Sequence, residues 1–399
     1  MKKHFLIIIF FAAAIFSLQH ATAQVSDSLP KLKTYRIGIF APLYLDSVFS
    51  ENGNFRYSQG MPKFIVPGVD FVNGAQVALD SMKLDNENVE ATIYDTKSYT
   101  LPIPTLIKNK KLDKLDLIIG SVKDFEYKQL ADYALLKNIP FISATYPNDG
   151  GVTKNPFVVL MNSTLKAHCE AIYSYLLQSH GTDKIFLCRK KGAQEDKVAS
   201  YFKQINEQDG KQLLAIQILN FDSTISTEFL KKKLDSNRQS VIIGGSLDES
   251  FAYKLTSACN LLYQQYPITL IGMPNWDAFK SLQKKDDFEG FPVYFTTPYY
   301  NSKNDNYSKI LIDAYLKRTK GKPTDAAFKG FECTYLFTRL LTKHPTDFMG
   351  HLNDKDFRIF SDYNFRPVML TKANTGPDYF ENKHLYFIKI LNGVIYKAW

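Results

Sequence analysis

Cysteine is scarce and poorly placed for chemistry. Cys169, Cys188, Cys259 and Cys333 are the only four in 399 residues, and no C-x-x-C spacing occurs. That excludes the common paired-thiol redox and zinc motifs. All four stand among apolar neighbours in strand- or helix-like stretches. Buried free thiols are expected, with a Cys169–Cys188 bridge as the alternative. Catalytic signatures are missing too. There is no G-x-S-x-G elbow, phosphate-binding P-loop, G-x-G-x-x-G or H-E-x-x-H. Gly244-Gly245-Ser246-Leu247-Asp248 comes nearest the elbow and lacks its final glycine. Past the N-terminus the histidines are His168, His180, His344, His351 and His384, none paired at metal-ligand spacing. His344 and His351, with Pro345 and Gly350 between them, read as loop residues. Asp286-Asp287 and the pair Asp354 and Asp356 read as solvated turns. No metal, no cofactor and no enzymatic activity are expected. Nucleic acid is not an expected partner either, because the basic excess is scattered along the chain.

Long apolar runs are equally rare. One exists, Leu6 to Leu18, and it is 13 residues long. A membrane-spanning helix needs about 20. Lys2 and Lys3 precede the run, and Ala21-Thr22-Ala23 follows it with small residues at the positions a signal peptidase reads. Residues 1–23 are therefore expected to be a secretory signal peptide, cleaved before Gln24. No cysteine follows the run, so a lipid anchor is not expected there. No later stretch is apolar enough to span a bilayer. The expected location is the periplasm or outside the cell. Removing Lys2 and Lys3 lowers the formal charge from +9 to +7, a mild excess that favours an anionic ligand or surface.

What the sequence does contain is alternation. After a short tether, 24–33, strand-length apolar runs alternate with helical periods. Strands are predicted at 35–42, 90–94, 115–120 and 140–144, with helices at 68–82, 103–111 and 125–137. A crossing segment, 155–161, leads to a second series. Its helices are predicted at 165–178, 193–207, 226–234 and 249–263. Its strands are predicted at 184–188, 213–219, 240–244 and 268–272. A further crossing, 292–297, precedes two long helices, 307–319 and 324–342. The tail is β-rich at 366–370, 385–391 and 394–397, with Asn392-Gly393 as a two-residue hairpin turn. Continuous apolar strands between helices mean parallel sheets covered on both faces. The expected fold class is α/β with two lobes and a ligand cleft beyond the carboxyl ends of the strands.

The chain resembles the type 1 periplasmic binding proteins, the leucine/isoleucine/valine-binding class. The similarity is carried by Ile37-Gly38-Ile39-Phe40-Ala41-Pro42, Asn73 to Asp80, Tyr94 to Ser98 and Ile118-Ile119-Gly120-Ser121. It continues through Asn138 to Thr145, which fits the family's I-P-x-I-S-x-x-[ST], and Asn155-Pro156-Phe157. Ala41 to Asp46 is also similar to envelope relatives that carry a peptidoglycan-binding LysM repeat, although no such repeat fits before the first strand here. The resemblance implies lobe 1 at 34–157 with 298–345, and lobe 2 at 158–297 with 346–399. It also implies hinge closure on a ligand. The ligand-binding residues it implies on the lobe 1 side are Tyr44, Ser121, Ser143, Thr145 and Tyr146. On the lobe 2 side they are Arg189, Ser246 and Trp276, with Tyr299 and Glu332 from the late segments. Serine and threonine hydroxyls would hold a carboxylate, and Glu332 an amine. Arg189-Lys190-Lys191 stands where the family often has an acid, which points to an anionic ligand. Two readings remain open. One is a solute-binding protein that presents a small ligand to a membrane transporter. The other is an envelope interaction module of the same fold, binding a partner protein or wall fragment.

Overall fold

A computed structural model of the chain describes residues 33–84, 88–208, 210–222, 224–371 and 375–398. The expected signal peptide and all of the tether except Lys33 lie outside the described residues. The first half is built from β1 (Tyr35–Ala41), α1 (Leu45–Val48), α2 (Val66–Leu84), β2 (Val89–Asp95), α3 (Ile103–Lys108), β3 (Leu117–Gly120), α4 (Asp124–Lys137), β4 (Phe141–Ser143) and β5 (Val158–Leu160). Next come α5 (Leu165–Ser179), β6 (Lys184–Lys190), α6 (Ala193–Asn206), the small hairpin β7 (Glu207–Gln208) and β8 (Lys211–Gln212), β9 (Ile216–Phe221) and α7 (Thr227–Lys231). They are followed by β10 (Ser240–Gly244), α8 (Glu249–Leu262), β11 (Ile268–Gly272) and β12 (Val293–Thr297). The last part holds α9 (Asn306–Thr319), α10 (Asp325–Lys343), β13 (Phe365–Val368), β14 (Tyr379–Asn382), β15 (Tyr386–Leu391) and β16 (Val394–Lys397).

Two seven-stranded sheets result, ordered β13-β14-β5-β4-β3-β1-β2 and β16-β15-β12-β11-β10-β6-β9. This is the two-lobed α/β architecture. The central strands are parallel, and β3 and β10 have every residue buried, as helices on both faces require. Helix starts follow local capping chemistry. Thr164, Asp248 and Asp305 each accept a hydrogen bond from a first-turn N–H of α5, α8 and α9. Asn392 and Gly393 both have positive φ, the geometry of a two-residue hairpin turn, and join β15 to β16.

The pairing corrects the expected assignment of residues to lobes. The tail does not belong wholly to the second lobe. β13 and β14 complete the first sheet, with β14 parallel to β5, while β15 and β16 extend the second. β5 itself, expected to open the second lobe, pairs with β4 in the first sheet. The cause is tertiary. Lys154 N–H donates to Asp378 and Thr164 N–H donates to Glu381, so carboxylates from the tail satisfy the chain beside β5. The four cysteines are buried free thiols, and burial raises the thiol pKa of each. Among the described residues no helix is long and apolar enough to cross a membrane.

Candidate ligand-binding cleft

The chain passes between the sheets three times, after β5, after β12, and between β14 and β15. The first and third passages are tied together, since Ser163 donates its hydroxyl to the Asn382 carbonyl at 2.6 Å. Beside these passages lies a cleft of about 680 Å³. Its size falls in the range of about 300–1,000 Å³ typical of small-molecule sites. Asn162, Ser163, Thr164, Pro298 and Lys383 line it from the passages. Strand-end loops supply more of the wall: Pro147 to Asp149 after β4, Leu247 after β10, and Pro274, Asn275 and Asp277 after β11. The opening turn of α5, with Leu165 and Lys166, also faces the cleft. The first N–H groups of a helix have no intrahelical partner, so that end favours an anion.

Of the charged residues lining the cleft, Lys383, Glu170 and Glu381 are ion-paired, while Lys166, Lys197, Lys329, Asp149 and Asp277 form no ion pair among the described residues. Lys383 bridges Glu170 at 2.9 Å and Glu381 at 2.6 Å. Burial alone would lower its pKa, but the two carboxylates outweigh burial and raise it. His168 bonds Thr296 Oγ1 at 2.7 Å, and burial, helped by the Lys383 charge, pushes its pKa down to about 3. It is therefore neutral at physiological pH. Lys329 of α10 differs. It lies over the Tyr299 ring at 5.7 Å, and among the described residues no carboxylate is close enough to form an ion pair with it. Burial lowers its pKa, only partly offset by Asp325, Asp277 and Glu332 at longer range. Asp277 is the reciprocal case, raised by burial, with its carboxylate facing the cleft. The Asn275 side-chain oxygen is buried without a partner.

None of the residues named from sequence is among those lining this cleft. Tyr44 adopts a left-handed backbone, φ 55°, because the N–H groups of Leu43, Tyr44 and Leu45 converge on the Asp95 carboxylate. Its ring packs edge-on against Phe64. Ser121 and Thr145 come together, hydroxyl to hydroxyl at 3.2 Å, and Ser143 is fully buried with its hydroxyl unpartnered. Tyr146 donates to Asp124 at 3.0 Å, and its ring packs at a tilt against Tyr127. Arg189 is held by Asp196, so the basic loop that suggested an anion is neutralised within its own lobe. Lys190 pairs with Asp248 and Lys191 with Asp222 in the same way. Ser246 is buried and donates to Glu195 at 2.6 Å. Trp276 is a core residue that donates its indole N–H to the Ser246 carbonyl. Tyr299 and Glu332 line a small void adjoining the cleft, which they share with Lys329.

Several of the residues lining the cleft are close neighbours of the named ones in the same loops. Leu247 in place of Ser246, Asn275 in place of Trp276 and Pro147 to Asp149 in place of Tyr146 are displacements of one to three positions. Lys329 carried no signal of its own beyond standing three residues before Glu332 on one helix face.

A sequence profile described as periplasmic binding protein matches residues 64–356. The comparison with curated proteins gives no match. Among solved structures, a branched-chain amino acid ABC transporter protein from Rhodospirillum rubrum is similar, with a TM-score of 0.63 at 12% identity, covering 92% of this chain and 100% of that one. The branched-chain amino acid substrate-binding protein LivJ from Streptococcus pneumoniae, solved with isoleucine, gives 0.51 at 16% identity over 91% of this chain and 98% of that one. A branched-chain amino acid ABC transporter ligand-binding protein from Burkholderia xenovorans gives 0.56 at 12% identity over 89% and 90%. At such identities the structures establish the fold, and the profile, which spans most of the chain, establishes the family: this chain belongs to the periplasmic binding proteins.

Proposed function

We propose that this protein is an exported solute-binding protein. It captures a small polar ligand, amino acid-like or anionic, between its lobes, closes by a hinge and presents the ligand to a membrane transporter. No covalent step is involved. The observation that carries this reading is Lys329, a cation held in the cleft wall without an ion-pair partner among the described residues. A buried charge without a partner is costly, and an anionic group on a ligand relieves that cost. Asp277 and the free Asn275 oxygen also line the cleft and can accept hydrogen bonds from an amine or hydroxyl on the ligand.

A thermal-shift screen with amino acids, short peptides, dicarboxylates, sugars and muropeptides tests this. A ligand at about 100 times its Kd stabilises the folded state by about 2.7 kcal/mol. The expected result is a shift of several degrees with an anionic or zwitterionic compound, abolished by Lys329→Gln. A shift that survives Lys329→Gln relocates the site. A flat response from folded protein favours the second reading, an envelope interaction module. One observation supports that alternative. Phe49, Phe55, Tyr57 and Phe64 form an exposed chain of ring contacts on the segment after β1, away from the cleft.

A further inference from the structure

The C-terminal end of α10 carries a cluster that the ligand cleft does not use. His344 caps this helix, and His351 ends a single turn of 3-10 helix, Phe348–His351. Seven positions apart in sequence, their imidazoles lie face to face, with centroids 3.5 Å apart and planes at 2°. One carboxylate oxygen touches both. Asp354 Oδ2 lies 3.0 Å from His344 Nε2 and 3.2 Å from His351 Nδ1. The second nitrogen of His351 faces Asp347 at 3.8 Å.

A hydrogen bond accounts for the His351–Asp354 contact but not for the His344 one. Despite its 3.0 Å approach to Asp354, the buried His344 Nε2 makes no hydrogen bond, so its N–H direction does not meet the oxygen. Two ligands of one tetrahedral ion, with bonds of about 2.0–2.1 Å, sit about 3.3 Å apart with their lone pairs converging rather than facing each other. Of the nearby cations, Lys343 is paired with Asp356, and Arg358 donates to the Asp354 backbone carbonyl rather than to its carboxylate.

We propose that His344 Nε2, His351 Nδ1 and Asp354 Oδ2 form a binding site for a divalent late first-row cation of the zinc class, with a fourth position open to water. Two imidazoles and a carboxylate are a borderline donor set that suits Zn²⁺ and its neighbours better than Mg²⁺ or Ca²⁺. Asp347 then orients His351 through the ring's other nitrogen, the usual carboxylate–histidine–metal relay. The parallel rings cannot both aim in-plane lone pairs at one ion as they lie. One must turn about its Cβ–Cγ bond, and His351, whose side chain is 35% exposed, has the room. Asn353, beside Asp354, exchanges hydrogen bonds with the Phe365 backbone, so the ion would clamp the end of α10 to the outer strand β13.

The test uses tag-free protein, stripped with a chelator and titrated calorimetrically with Zn²⁺ near neutral pH. One ion per chain is expected. His351→Gln and Asp354→Asn should each weaken binding roughly tenfold or more. Co²⁺ should give the intense visible bands of four-coordination, lost in both variants. Lys329→Gln should bind Zn²⁺ unchanged, which separates this site from the cleft. Metal-free melting and circular dichroism check that the variants fold, and His344→Gln replaces either one that does not. No saturable Zn²⁺ binding, or undiminished binding in the folded variants, overturns the proposal.

Discussion

Glu332 and His168 are two buried ionisable side chains whose pKa values move in opposite senses for one reason. Burial disfavours the charged form of each. Glu332 is raised to about 7 from 4.5 by burial, against donors from Tyr363, Ser361 and Phe360 that pull it back. Its folded form keeps a proton that the unfolded chain has lost, so this group makes stability fall as pH rises from about 4.5 to about 7. His168, pushed from 6.5 to about 3, does the reverse: below 6.5 the unfolded chain takes up a proton that the folded state refuses, so stability falls with falling pH. Between about 4.5 and 6.5 the two slopes, each about 1.4 kcal/mol per pH unit, oppose one another. Glu332→Gln should leave the His168 slope exposed. Urea midpoints measured from about pH 5 to 6.5 should then climb more steeply with pH in the variant than in the parent. Equal slopes would show that Glu332 is already ionised in the fold. Neither shift was legible in sequence, where Glu332 read as a weak candidate for holding an amine. Its actual partners, Ser361 and Tyr363, come from a different segment.

Between elements, the closest packing is between α2 and α10. A Cβ on Gly74 would lie 1.9 Å from the Ala327 carbonyl oxygen, and one on Gly330 would lie 2.0 Å from that of Phe71. The helices meet backbone to backbone, which explains why two glycines stand inside helices despite a propensity cost of about 1 kcal/mol each. Gly74→Ala and Gly330→Ala should each destabilise by about 1–3 kcal/mol, read from urea midpoints. Because they share one contact, the double variant should cost less than their sum. Gly181→Ala, with nothing nearer than 3.6 Å, is the control and should change stability by less than about 0.5 kcal/mol. Element type was well marked by periodicity: β10, β11 and β16 begin and end where the pattern placed them. β14 was not foreseen. Its four residues, Tyr379-Phe380-Glu381-Asn382, include a buried glutamate and asparagine that read as loop. Glu381 is satisfied by Lys383 and the Thr164 N–H, and the Asn382 side chain by the Asn364 N–H and the Met161 carbonyl, partners mostly far away in the chain.

At the scale of the whole molecule, the three passages between sheets would have to act as the hinge if the proposed mechanism holds. Closure on a ligand should shorten the molecule, so small-angle scattering should show a smaller radius of gyration with the ligand identified by thermal shift. Lys329→Gln protein should show no contraction under the same conditions. An unchanged radius with ligand demonstrably bound would reject hinge closure while leaving binding intact.

The sequence by itself determined the strand–helix alternation, the parallel sheets and the family. Each of these is a local consequence of apolar periodicity, turn chemistry and motif order. Only the tertiary structure decided which sheet received each tail strand, which cleft lysines kept their charges unpaired, and that Arg189 spent its charge on Asp196 inside its own lobe. It alone brought His344, His351 and Asp354 together. These outcomes depend on distances between residues remote in the chain, and on how much water burial removes from each group. Neither quantity is written in any local run of residues.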